Sequence, residues 1–165
     1  MVLGFTGEHI QKVDAKGRMS IPAAFRRVLE AEDPDYPTTN APRMMLVYGD
    51  HLQNRLEGYS MKEFGDIMAE IKAMKRTSKR TRLMENFIGM SVTLDVDKDG
   101  RTVMPLAQRE KLGIESGDLY FKGLGERFEI WRKDIHQETK AQTNRAWLEE
   151  QGDDFDLLSL LDEEE

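Results

Sequence analysis

The chain states one motif twice. Residues 13–29 read VDAKGRMSIPAAFRRVL and residues 96–112 read VDKDGRTVMPLAQREKL. Aligned without a gap, Val13, Asp14, Gly17, Arg18, Pro22, Arg26 and Leu29 fall on Val96, Asp97, Gly100, Arg101, Pro105, Arg109 and Leu112. An internal repeat means one supersecondary unit duplicated and packed against its copy. Whatever surface one copy presents, the other presents again. That suits gripping a partner that itself repeats, such as a nucleic-acid backbone, better than it suits a single catalytic centre.

The local pattern predicts the same plan in both halves. Residues 6–13 alternate and run into Asp-Ala-Lys-Gly, where Asp bonds the backbone ahead of it and Gly tolerates positive φ. Arg18 to Ile21 reads as a short strand, and Pro22 opens a helix as its first residue. The segment EAEDPDYPTTNAP at 30–42 is a loop, and Met44 to Tyr48 is a strand. Ser60 with Glu63 forms a capping box ahead of Phe64, Ile67, Met68 and Ile71 at helical spacing. A basic run from Lys72 to Arg82 follows in a helical pair. The second half predicts strands over Ser91–Val96 and Arg101–Met104, a helix over Pro105–Leu112 capped by Gly113, and strands over Leu119–Gly123 and Arg127–Trp131. A last helix covers Lys133 to Trp147. The expected class is α+β, with a small barrel-like sheet and linking and C-terminal helices. The corresponding segments are repeat 1 at 6–60, a helical linker at 61–89, repeat 2 at 90–134, a C-terminal helix at 135–148 and an acidic tail at 149–165.

Composition matters mainly through its uneven distribution. The chain of 165 residues carries a net charge of −7, which argues against a nucleic-acid partner only if that charge is spread evenly. It is not. Nine acids and no base lie from Glu149 onward, leaving 22 acidic groups against all 24 basic ones in the first 148 residues. The body is near neutral and the acidity sits in an appendage. No stretch approaches the roughly 20 apolar residues needed to span a bilayer. The opening MVLGFTGEHIQKVD lacks the basic and apolar regions of a signal peptide. There are no cysteines, which excludes disulfides and thiolate metal sites.

The residues that could carry chemistry are the two turns. Each offers an Asp, a Gly and an Arg beside a Lys: Asp14, Lys16, Gly17, Arg18 and Asp97, Lys98, Gly100, Arg101. Two readings stay open from composition. In one, Asp shapes the turn and pairs with Arg, and the element is structural. In the other, Arg and Lys point outward, where a guanidinium forks onto phosphate or a guanine edge. The basic run at 72–82 is likewise either a solvated helix face or a phosphate contact. His9, His51 and His136 lie in separate segments with no ligand spacing, so no metal site is expected. There is no nucleophile elbow, P-loop or dinucleotide fingerprint. No catalytic residue, cofactor or small-molecule ligand is indicated.

The run GFTGEHIQKVDAKGRMSIPAAFR resembles the opening of the MraZ family of bacterial transcriptional regulators, and DVDKDGRTVMPLAQREKLGIESGDLYFKGLGERFEIW resembles its second copy. Both halves are similar to the wider AbrB-type DNA-binding family, through Gly100-Arg101 to Pro105 and then Leu112-Gly113-Ile114-Glu115-Ser116-Gly117-Asp118. The resemblance implies two tandem AbrB-type units forming a double-split β-barrel. It also implies a ring-shaped homo-oligomer that binds direct repeats in promoter DNA of the division and cell-wall gene cluster, in the cytoplasm at the nucleoid. It assigns DNA contact to Arg18 and Arg101, with Lys16 and Lys98 beside them. It assigns turn shaping to Asp14, Gly17, Asp97 and Gly100. The second turn departs by carrying Asp99 where the first has Lys16, which weakens its positive field. An alternative is a protein-interaction scaffold acting through the tail residues Phe155, Leu157, Leu158, Leu160 and Leu161.

Overall fold

A computed structural model describes residues 3–162. The chain divides after Lys133 into two compact units. Eight strands form one sheet in the first: β1 Glu8–Val13, β2 Arg18–Ser20, β3 Arg43–Val47, β4 Arg55–Ser60, β5 Ser91–Asp95, β6 Arg101–Val103, β7 Gly117–Gly123 and β8 Phe128–Arg132. Its order is β5-β3-β4-β8-β7-β1-β2-β6, and each pairing is antiparallel. The ends meet through the β5–β6 turn, where Asp97 N donates to the Arg101 carbonyl at 2.8 Å. The result is a nearly closed double-split barrel.

Exchanging the two halves leaves this cyclic order unchanged. β1 pairs with β7 of the other half, and β3 pairs with β5 in the same way. Neither repeat therefore holds a complete sheet, and each satisfies its strand edges with the other. The barrel interior is filled by Phe5, Phe25, Phe121 and Phe128 with Leu29, Met44, Leu46, Leu56, Met104 and Leu119. The Phe25 ring sits 4.9 Å from Phe128 and 5.4 Å from Phe5. Met19, Met44 and Met104 fill gaps in this core, the role their flexible side chains suit.

Helices α1 Ala23–Ala31 and α4 Leu106–Leu112 follow the repeated strands. Pro22 and Pro105 stand one position earlier than expected, as N-caps with extended ψ of 136° and 156°. Each is the last residue of the strand-to-helix step, and the Pro22 carbonyl accepts the first helical bonds from Phe25 N and Arg26 N. Gly113 ends α4 in the left-handed conformation. Helix α2, Met61–Ala73, starts from Ser60, whose hydroxyl accepts from Glu63 N at 3.1 Å. Helix α3, Ser78–Leu83, leads into a π-turn over Met84–Ile88. This hairpin lays Phe64, Ile71 and Phe87 on Met45, Val47 and Tyr59, forming a second apolar cluster.

The loop after α1 is closed by charge. Asp33, buried, accepts from Arg43 N at 2.9 Å and from its guanidinium at 2.8 Å and 3.1 Å. Strand β4 was not legible in the sequence, because Glu57 and Gly58 break its alternation. Gly58 is required there: a Cβ at this position would run into the Phe128 ring. The second unit holds the rest of α5, Lys133–Glu138, then α6, Lys140–Gln151, and a 3-10 turn over Leu157–Asp162. The single helix expected over 133–147 is broken at Thr139 (φ −120°, ψ −83°) and runs on to Gln151. The Thr139 hydroxyl bonds back to the Ile135 carbonyl at 2.6 Å, a bond that bends helices. The tail acids Glu163, Glu164 and Glu165 lie outside the described residues.

Candidate nucleic-acid interface

Both repeated turns are built around their aspartate. Asp14 Oδ1 accepts from Lys16 N at 3.0 Å and from Arg18 N at 2.9 Å. Asp97 Oδ1 accepts from Asp99 N and from Arg101 N, each at 2.9 Å. The chain reverses at Gly17 (φ 84°) and Gly100 (φ 77°), in the left-handed region where a side chain is strained. Space forbids one as well. A Cβ on Gly17 would meet the Met104 carbonyl, and one on Gly100 would meet the Arg26 guanidinium.

The two turns hold each other. Met104 N donates to the Gly17 carbonyl and Ile21 N to the Gly100 carbonyl, both at 2.8 Å. Arg109, from the second repeat, donates from Nη1 to the Ala15 carbonyl at 3.0 Å and from Nε to the Met104 carbonyl at 3.1 Å. It thus braces the first repeat's turn. Arg26 lies over the second turn in the matching position. Both arginines are visible in the repeat, but their bracing role needs the fold to bring positions 15 and 109 together.

Strands β2 and β6 pair directly, with Arg18 opposite Val103, Met19 opposite Thr102 and Ser20 opposite Arg101. Met19 and Thr102 are buried, so alternation turns Arg18, Ser20, Arg101 and Val103 to the outside. Arg18 and Arg101 occupy diagonal positions, about 7–8 Å apart by strand geometry. They share the lining of a shallow depression of about 350 Å3 with Lys12, Asp14, Met19 and Ser20. Lys16 and Lys98 are exposed on the adjoining turns. The candidate residues from both repeats thus come together on one outward ribbon.

The copies differ in one respect. Arg18 Nε donates to Asp14 Oδ2 at 2.6 Å, with 60% and 41% of the two side chains exposed. That hydrogen bond, with the turn's backbone donors, holds the Asp14 carboxyl below its ordinary value against the opposing effect of desolvation. Because Nε takes the aspartate, the guanidinium is aimed and its two terminal nitrogens stay available. Among the described residues no ion pair ties Arg101 to Asp97, and Asp95 and Asp97 line a second depression, which Arg18 and Arg101 also border. The second turn is the less electropositive of the two.

The profile described as "MraZ protein, putative antitoxin-like" matches residues 5–87. A relative from Ruegeria sp. (strain TM1040), named Transcriptional regulator MraZ, is 41% identical over 159 residues, covering 96% of this chain and 95% of its own. The chain belongs to the MraZ family. A relative of the same name from Ruegeria pomeroyi is 39% identical, with 98% and 97% covered. One from Thermoanaerobacter pseudethanolicus is 34% identical, with 93% and 98% covered. Membership therefore extends through the second repeat, beyond the residues that the MraZ profile matches.

A second repeated element escaped the sequence reading. Arg55-Leu-Glu57-Gly-Tyr59 lies in β4 and Arg127-Phe-Glu129-Ile-Trp131 leads into β8, with Glu57 directly opposite Glu129. Arg127 pairs with Glu57 at 3.1 Å and Arg55 with Glu129 at 3.3 Å. Tyr59 OH donates to Glu57 at 3.1 Å and Trp131 Nε1 to Glu129 at 3.0 Å. These buried carboxylates have two partners each, so the set is a structural lock between the halves. The Arg-x-Glu-x-aromatic pattern would have revealed it, but unequal loops place it at a different spacing from the turns. Among the described residues no helix is long and apolar enough to cross a membrane, and no cluster of His, Asp or Glu could hold a metal ion.

Proposed function

We propose that the chain is a sequence-specific DNA-binding transcriptional regulator. The observation that carries this reading is the diagonal placement of Arg18 and Arg101 on the exposed β2–β6 ribbon. The major groove admits a two-stranded ribbon, and an arginine on it can fork onto guanine O6 and N7. Lys16 and Lys98 flank the ribbon and supply phosphate contacts, while Asp14, Gly17, Asp97 and Gly100 hold the turns in shape. Repeat 1 at 6–60 and repeat 2 at 90–134 act as one reading unit. Family membership and the relatives' shared name support the regulatory role.

In this reading a ring-shaped homo-oligomer engages direct repeats, so that modest contacts add through effective concentration. The target is promoter DNA of its own division and cell-wall cluster, at the nucleoid. A gel shift with the chain's upstream DNA, intact and with one repeat scrambled, tests it. Tighter binding to the intact repeats, lost in Arg18→Ala, is expected. Equal affinity for both DNAs would refute it. The scaffold alternative draws on the exposed leucines of the tail.

A further inference from the structure

Residues 72–82, across the tip of the α2–α3 hairpin, carry Lys72, Lys75, Arg76, Lys79, Arg80 and Arg82, with no acid among them. Among the described residues none of these six side chains enters an ion pair. Five are exposed, and Leu83 beside them is 41% exposed. The tip is nonetheless ordered: Thr77 caps α3 through Arg80 N, and the Arg80 guanidinium donates to the Lys72 carbonyl. Like charges this dense raise the energy of the isolated surface, since neighbouring cations repel. The reading ribbon does not use them.

The C-terminal segment is the complement. Glu149, Glu150, Asp153, Asp154, Asp156 and Asp162 lie in its described part with no base, and none of them enters an ion pair among the described residues. Between these acids Leu157, Leu158, Leu160 and Leu161 stand 40% to 82% exposed. Four leucines within five residues make a contiguous apolar patch that water solvates poorly. A DNA backbone would match the charge of the hairpin but would leave these leucines uncovered. The hairpin offers cations together with apolar surface at Leu83 and the aliphatic stems of its lysines. Every copy of the chain brings one of each element.

We propose that the basic tip at 72–83 is the docking surface for the acidic, leucine-rich segment 149–162 of a second copy of this chain. Charge selects and orients the segment, and the leucines provide the burial that outlasts salt screening. The contact is independent of DNA, so its failure and that of the DNA-reading assignment are separable.

The test mixes isotopically light and heavy full-length protein, without DNA, and couples amines to carboxylates with a zero-length carbodiimide. Mass spectrometry then locates the joined peptides. Cross-links from Lys72, Lys75 or Lys79 to carboxylates of 149–162 that join light to heavy peptides are expected. Reversal by Lys75→Glu, Arg76→Glu and Lys79→Glu should lower self-association, read as weight-average mass. Adding Asp153→Lys, Asp154→Lys and Asp156→Lys to that variant should restore it. Links only within light or within heavy chains would overturn docking on a second copy. No such links, with an unchanged mass in the reversed variant, would overturn the docking altogether. So would a reversed variant whose only defect is weaker DNA binding with a shallower salt dependence, since the tip would then belong to nucleic acid.

Discussion

Replacing Arg18 by alanine separates reading from folding. Arg18 is exposed, and among the described residues its side chain bonds Asp14 at 2.6 Å. An exposed ion pair of this kind adds little to stability because solvent screens it, so the variant should melt within a few degrees of the parent. A lost bidentate base contact costs about 1–3 kcal/mol, or roughly 5- to 150-fold in affinity. Several copies bound along repeated DNA would multiply that loss. Fluorescence anisotropy with labelled upstream DNA, intact and scrambled, at two salt concentrations is the assay. Discrimination between the two DNAs should collapse, because a base contact carries sequence information and a phosphate contact does not. Loss of a phosphate contact would instead weaken both DNAs alike and reduce the log–log salt slope by about 0.9. A folded Arg18→Ala protein with unchanged affinity and discrimination would refute the assignment. Asp14→Asn should fall between, since it keeps the turn's acceptor but loses the charge that aims the guanidinium.

Gly17→Ala should destabilise far more than Arg18→Ala. The left-handed backbone costs about 1–2 kcal/mol for a non-glycine residue, and the Met104 carbonyl blocks the new methyl; a denaturant midpoint equal to the parent's would contradict this. Arg109→Gln should loosen the first turn through the Ala15 and Met104 carbonyls, costing about 1–3 kcal/mol and weakening DNA binding, although Arg109 need not touch DNA. Rescue of both by Arg109→Lys would show that charge alone suffices and that the forked geometry is irrelevant. Asp33 is held below its ordinary pKa chiefly by hydrogen bonds from Arg43. Its folded value is the lower one, so its contribution is full above the unfolded value near pH 3.9 and is lost as pH falls through the folded value. Asp33→Asn should therefore cost stability at pH 7, and the gap between variant and parent should close on acidification. A gap of constant size in urea melts from pH 7 down to the lowest pH at which the parent folds would contradict this linkage.

Much of the fold was legible because its determinants are local. Asp14 and Asp97 accept from backbone donors two and four residues on, and Gly17 and Gly100 answer to their own φ. Ser60 and Glu63 lie within one helical turn, and Gly113 caps the helix that it follows. The duplication shows these signals twice and singles out Arg18 and Arg101 in the sequence itself. Strand β4 stayed hidden because its burial comes from partners far away in sequence, with Phe128 filling the space at Gly58 and Arg127 answering Glu57. The bracing of one repeat's turn by the other repeat's arginine joins Ala15 to Arg109 and has no local signature. The placement of Arg18 and Arg101 on one ribbon depends on β2 pairing with β6. Residue chemistry within a few positions determined the turns, the caps and the candidate arginines. Only tertiary structure decided which strands exchange between the halves, because long-range pairing is set by the mutual satisfaction of edges and core volume that neither repeat can achieve alone.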